Sequence, residues 1–183
     1  GGSDVRSNTT TAVAIGPEGR GCGYLLRGHK WFYSAPMSDA HVVVAQVQPR
    51  GGHACFLVPR WLPDGTRNRI RIQQLKDKLG NRSNSSAEVE FQDAWGVLVG
   101  DEGRGIATIL EMATQTRLNC VLGSAAILRT ATVQAMAYAR QRQAFGKPLV
   151  AHALMRNVLV DLALESEAAM QLGMRLAHAF EHA

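Results

Sequence analysis

Cysteine is scarce in this chain. Cys22, Cys55 and Cys120 are far apart, odd in number and form no Cys-x-x-Cys pair. That argues against a disulfide framework and a thiolate zinc site, and it fits a reducing compartment. Long apolar runs are missing as well. No stretch of 18 consecutive apolar residues occurs, so no segment is expected to span a membrane. No charged-then-apolar leader opens the chain, so no secretory signal is expected and the location expected is cytoplasmic. The histidines His29, His41, His53, His152, His178 and His182 lack metal-ligand spacing. His178 and His182 are one turn apart, and an exposed helix face accounts for them. No Gly-x-Gly-x-x-Gly run follows a strand and opens a helix, which removes the support for a Rossmann nucleotide site. No catalytic triad can be read. Gly100-Asp101-Glu102-Gly103-Arg104-Gly105 has the glycines of a phosphate cradle, but its two acids make it a tight turn before a helix.

What is present is an ordinary globular composition. The 183 residues are 46% apolar and 19% charged, enough for one domain of usual size or two small ones. The net charge of +5 favours anionic partners such as phosphates, coenzymes or nucleic acid. The chain opens abruptly at Gly1-Gly2-Ser3-Asp4 and closes inside a helical pattern at Ala183. Both ends are those expected of a piece of a longer protein.

The two halves differ in period. Up to about residue 104, short apolar runs are broken by turn signals. Strands are expected at Thr9 to Ile15, from Gly23 into the stretch 28–34, at His41 to Val47, at Ala54 to Val58, at Ile70 to Leu75 and at Ala87 to Phe91. Strands this short and frequent predict an antiparallel barrel or sandwich. Beyond Gly105 the apolar residues step by three and four, from Ile106 through Ile109, Ala113, Val121 and Leu128. That predicts a helix to about Gln141, broken by Phe145-Gly146-Lys147-Pro148. A second helix follows, with Leu154, Val158, Leu162, Ala169, Leu172, Leu176 and Phe180 as its expected seam. The fold class is α+β: a β-barrel or sandwich over 1–104, then a long antiparallel helix hairpin over 105–183, half of a four-helix bundle.

One stretch organises the first half. Gly28-His29-Lys30-Trp31-Phe32-Tyr33-Ser34 reads as a strand with three adjacent rings. Side chains alternate along a strand, so the rings are expected on both faces. One face can enter a core; the other leaves an aromatic beside a hydroxyl, suited to a flat polar ring system. A two-sided core strand without a ligand is the alternative. Arg67-Asn68-Arg69-Ile70-Arg71 is basic and reads as a solvated strand face, with nucleic-acid contact as its other reading.

Four segments in order resemble the acyl-CoA dehydrogenase family. Gly1-Gly2-Ser3-Asp4-Val5-Arg6-Ser7 resembles the second half of that family's first signature. The stretch 28–34 resembles its Gly-x-Lys-x-Trp-Ile-Thr strand. Lys78-Leu79-Gly80-Asn81-Arg82, with Glu88-Val89-Glu90-Phe91 and the run 100–105, resembles its Lys-Leu-Gly…Phe…Gly-Glu-Glu-Gly-x-Gly pattern. Residues 138–149 resemble its helix break, Arg-x-x-Phe-Gly-x-x-Leu. The wording is similar to the branch tied to the DNA-alkylation response.

The resemblance implies a middle β-domain over 1–104 and the first two helices of a C-terminal bundle over 105–183. It implies FAD as cofactor, an acyl-CoA thioester oxidised at its α,β carbons, and a homotetrameric parent. Ser3 is matched to a contact with the flavin side or phosphates of FAD. Phe32 takes the place of the family tryptophan beside the isoalloxazine, and Ser34 that of the threonine hydrogen-bonded to it. Tyr33 lies between them and offers backbone. Arg142 and Phe145 match residues that reach the FAD of a neighbouring subunit, the arginine near its pyrophosphate and the phenylalanine near its adenosine. The residue before the family arginine, matched by Arg117, is Thr116, where some members carry the catalytic glutamate. Threonine is no base at neutral pH, so the base is expected beyond residue 183. Ala153 stands near a family glutamine that holds the adenine side, and alanine cannot make that contact. Two further roles fit the resemblance: DNA binding or protection through regions outside this chain, and a flavin-free structural module.

Overall fold

The computed structural model describes residues 4–182. Compact packing divides it at Met112/Ala113. The first unit is built on six strands: β1 (Thr11–Ala14), β2 (Gly23–Tyr33), β3 (Ala40–Gln48), β4 (His53–Pro59), β5 (Ile70–Leu75) and β6 (Ala87–Val99). Their order is β2-β1-β3-β4-β6, and β6 pairs back with β2, so five strands close a ring. A barrel, rather than a sandwich, is therefore the form taken. Closure leaves β5 outside the ring, paired only with β6. Every pairing is antiparallel except β1 with β3, where Thr11 lies beside Gln46.

The inward residues fill the ring. Ala12, Tyr24, Leu26, Val43, Ala45, Phe56, Val58, Val89, Phe91 and Leu98 are buried in one cluster. Tyr24 meets Phe56 edge-on at 5.1 Å. Each large side chain so buried stabilises the fold by roughly 1.5–3 kcal/mol. The Tyr24 hydroxyl is not wasted: it accepts from Gly19 N–H at 3.0 Å and donates to Glu102 Oε1 at 2.6 Å. Burial and the bond to Glu102 both push its pKa up.

β6 runs eight residues beyond the expected end at Phe91. The hidden feature is a bulge. Leu26 lies opposite Ala94 and Arg27 opposite Gln92, which leaves Asp93 as an extra residue at φ +60°. Arg27 holds it with two hydrogen bonds, 3.1 and 2.7 Å. The bulge breaks the period of two, so the alternation ends near Phe91 while the strand continues to Val99.

The second half contains α1 (Gly105–Gln141), a two-strand hairpin of β7 (Gln143–Ala144) and β8 (Lys147–Pro148), and α2 (Ala153–Glu181). At 37 residues, α1 is about 55 Å long. Its first turn belongs to the barrel unit. A Cβ on Gly105 would lie 2.5 Å from the Ala54 backbone, so only glycine admits this approach. Within the second unit, α2 buries Leu159, Ser166 and Gly173, spaced by seven. A Cβ on Gly173 would touch Leu122 at 3.4 Å. Of the stripe expected from sequence, Leu162, Ala169, Leu176 and Phe180 are half-buried, while Leu154, Val158 and Leu172 are exposed. Two helices bury only the narrow seam between them, and the rest of a wide apolar face stays open. Among the described residues, α1 alone is long and apolar enough, by length and composition, to cross a membrane.

Candidate functional site

The aromatic stretch lies at the end of β2, where a second bulge changes its geometry. Lys30 is opposite Val89 and Tyr33 opposite Ala87, so Trp31 and Phe32 share one partner position on β6. A bulge re-aims side chains. Trp31 and Phe32 are both solvent-exposed, at 66% and 62%, while Tyr33 packs against the core. Strict alternation, which would have separated Trp31 from Phe32, is not obeyed. Ser34 follows immediately, exposed, and its hydroxyl bonds no described residue. The strand thus ends in two open rings and a free hydroxyl.

Tyr33 sits differently. Its ring is 5.1 Å from that of His41 and 6.0 Å from that of Phe91. Burial pushes its pKa well up. Its hydroxyl and His41 Nε2 are both buried without a partner among the described residues. The side chain faces the barrel interior, which leaves the backbone as the group Tyr33 can offer outward.

Two residues upstream of Phe32, Lys30 is anchored inside. Its Nζ donates to Asn8 Oδ1 at 2.9 Å and to the Val44 carbonyl at 3.0 Å. Neither acceptor is charged, and burial lowers its pKa to about 8. Lys30 and Asn8 fix the course of β2 before its bulge. Sequence reading passed over both, because a lysine in a strand reads as solvated.

It also passed over Lys76 and Glu88. Alternation over residues 87–91 puts Glu88 outside, yet it is buried. Lys76 Nζ lies 2.6 Å from Glu88 Oε1, and Gln74 Nε2 donates to the same oxygen at 2.8 Å. These bonds, Lys76 first, hold the Glu88 carboxyl below its ordinary range. The only sequence signal was an acid placed among apolar neighbours.

In the second unit, the helix break is a tight turn. Phe145 has φ +51° and Gly146 φ +79°. That pair of left-handed residues makes the two-residue hairpin joining β7 to β8. Left-handed backbone is uncommon for a bulky side chain. The Phe145 ring is 96% exposed and touches His152 edge-on at 6.1 Å. His152 Nε2 is bonded to the Ala144 carbonyl at 3.0 Å, which ties the turn to the start of α2. Arg142 is exposed, and its guanidinium makes no hydrogen bond or ion pair among the described residues. Its backbone N–H bonds Tyr138 O, and its carbonyl accepts from Leu149 N–H, both at 2.8 Å. The backbone is held while the guanidinium is free.

Thr116 Oγ1 donates to the Ala113 carbonyl at 2.8 Å, one turn back on α1. Ser3 lies outside the described residues. A barrel concavity of about 610 Å³ is lined by Leu25, Leu62, Asn68, Arg69 and Trp95, and no expected site residue is among its walls. At the end of α2, His178, Glu181 and His182 bring ligand atoms within 4.8 Å of one another on an exposed turn.

Comparison with known proteins accounts for these segments. Residues 1–94 match the family model for the acyl-CoA dehydrogenase middle domain, and residues 103–183 that for its C-terminal domain. The second match identifies α1 as part of that domain rather than as a membrane span. The chain is 55% identical over 99% of its length to putative acyl-CoA dehydrogenase AidB of Escherichia coli, of which it covers 32%. It is 32% identical over 96% of its length to the human mitochondrial short-chain specific acyl-CoA dehydrogenase, covering 42% of that protein. Among solved structures, Caenorhabditis elegans ACDH-11 in complex with C11-CoA superposes with a TM-score of 0.82 at 30% identity, over 97% of this chain and 32% of that one. An acyl-CoA dehydrogenase from Geobacillus kaustophilus gives 0.80 at 26% identity, over 97% and 47%. The chain therefore spans between about a third and a half of the length of these relatives. By both family matches and these identities, the chain belongs to the acyl-CoA dehydrogenase family.

Proposed function

We propose that this chain is the middle β-domain and early C-terminal segment, divided near residues 104/105, of an FAD-dependent acyl-CoA dehydrogenase that oxidises an acyl thioester at its α,β carbons. The family match across both halves carries the reading. The relative solved with C11-CoA supports an acyl-CoA as the substrate class.

The residues fit the cofactor. The exposed Phe32 ring offers an apolar face to a flat ring system, and the unpartnered Ser34 hydroxyl can bond its polar edge. Tyr33 contributes backbone. Arg142 presents an unpaired guanidinium whose fork suits a pyrophosphate. Phe145 presents a ring that nothing in its own unit covers. In the family reading, Arg142 and Phe145 serve the FAD of a neighbouring subunit, and this supports a homotetramer. Ser3 joins the site on the family signature alone.

FAD, when bound, supplies acceptance of a hydride from the substrate. This chain's residues bind and orient; none of the assigned ones is a base. Thr116 stands at one family position for the base, but its hydroxyl is spent on the Ala113 carbonyl. The proton is therefore assigned to a carboxylate beyond residue 183. The unpaired thiols of Cys22, Cys55 and Cys120 support a reducing, cytoplasmic setting.

The test is the visible spectrum of the full-length protein after gel filtration. A flavin band co-eluting with a tetramer is expected. A colourless protein that does not take up added FAD overturns the cofactor assignments together.

A further inference from the structure

Trp31, Lys76 and Glu88, which the assignments above leave unused, form one cluster with Phe32. Lys76 Nζ lies 3.4 Å from the centroid of the Trp31 ring and 4.9 Å from that of Phe32. The side chain that reaches these two open rings is itself buried, 9% exposed, and so is its partner Glu88, at 10%. Gln74 Nε2 donates to the same carboxylate oxygen that Lys76 holds. His29 approaches Glu88 at 3.7 Å from the neighbouring strand position.

The arrangement is unusual for a surface ion pair. An exposed lysine–glutamate pair contributes little and wanders. This one is held at both ends, by a carboxylate with a second donor and by two aromatic faces. The β2 bulge puts Trp31 and Phe32 at one position opposite Glu88, and the Lys76 ammonium lies over both rings. A desolvated cation is drawn to the negative face of an aromatic ring. Fixing a ring that solvent would otherwise leave free to change rotamer removes an entropic cost from whatever binds it.

We infer that Lys76, held by the Glu88 carboxylate that Gln74 also bonds, is the positioning residue that sets Trp31 and Phe32 as one outward aromatic platform for the flavin. The inference rests on the reading that Phe32 faces FAD. It adds Trp31 as a second ring of the platform and gives β5–β6 side chains a role in cofactor affinity.

The experiment uses the full-length protein and FAD itself, with FAD dissociation constants, flavin absorption maxima and thermal stability measured in parallel. Lys76→Met alone strands a buried carboxylate, so the informative variant is Lys76→Met with Glu88→Leu. Replacing a buried ion pair with apolar residues of similar volume preserves folding. The double variant is expected to melt within a few degrees of wild type, yet to bind FAD about tenfold more weakly with shifted absorption maxima. Lys76→Arg keeps a cation over the rings and is expected to stay within about twofold of wild type. A double variant with wild-type affinity and spectrum makes Lys76 merely structural and overturns the inference. A wild-type protein that takes up no FAD is a different result: it overturns the functional reading, and this inference with it.

Discussion

The ring of Phe145 meets that of His152 at 6.1 Å, while the Phe145 backbone is held at φ +51°. His152 is bonded to the residue just before Phe145, so the turn cannot relax without releasing the start of α2. A bulky residue in left-handed backbone costs about 1 kcal/mol. Strain of this kind at a fully open side chain points to use. Phe145→Gly is expected to stabilise the chain by about 1 kcal/mol in urea unfolding, and to weaken FAD binding by the full-length protein. Unchanged FAD affinity would remove Phe145 from the site.

Ser34 gives the opposite pattern. Its hydroxyl is exposed and bonds no described residue, so the fold does not depend on it. Ser34→Ala is expected to leave thermal unfolding unchanged and to weaken FAD by about 1 kcal/mol, the net value of one hydrogen bond. Equilibrium dialysis of the full-length variant reads this directly. Equal affinity in the two proteins contradicts the assignment.

Lys30 predicts a pH dependence. Its pKa in the fold is about 8, below the ordinary 10.5. Below pH 8 both folded and unfolded chains carry the proton, and the cost of burying the charge is fully present. Between about 8 and 10.5 the unfolded chain binds more protons, so stability rises with pH. From pH 7 to pH 9.5 the wild-type chain is expected to gain about 2 kcal/mol relative to Lys30→Met. Chemical denaturation at the two pH values measures it; parallel profiles for the two proteins contradict it.

Gly105 carries the junction of barrel and helix. Its missing Cβ would stand 2.5 to 2.7 Å from backbone atoms of Ala54, which cannot turn aside as a side chain can. Gly105→Ala is expected to destabilise the chain by about 2–3 kcal/mol despite its better helix propensity. A loss below about 0.5 kcal/mol would mean that the two backbones separate easily.

Much of this was legible in the sequence because it depends on local rules. α1 ends at Gln141, where the Phe145-Gly146 turn was expected to break it. β5 begins and ends at Ile70 and Leu75, as its pattern indicates. What was not legible depends on register. A bulge adds one residue and inverts the faces beyond it, and nothing in Trp31-Phe32-Tyr33 or in Gln92-Asp93 announces one. The buried position of Glu88 follows from Lys76, twelve residues away and just past the end of β5. The seam of α2 was placed on its most apolar face, yet the buried stripe includes Ser166 and Gly173, because the helix approaches its neighbour where side chains are small. The site residues were read from resemblance. The exposure of Phe32, Ser34, Arg142 and Phe145 is a property of the folded chain and leaves no local signature in the sequence.

The most direct test of the account is an anaerobic titration of the full-length flavoprotein with acyl-CoA thioesters of increasing chain length, followed in the visible flavin bands. The account predicts that one chain-length class bleaches the bound flavin. A flavin spectrum that no thioester alters contradicts the dehydrogenase assignment.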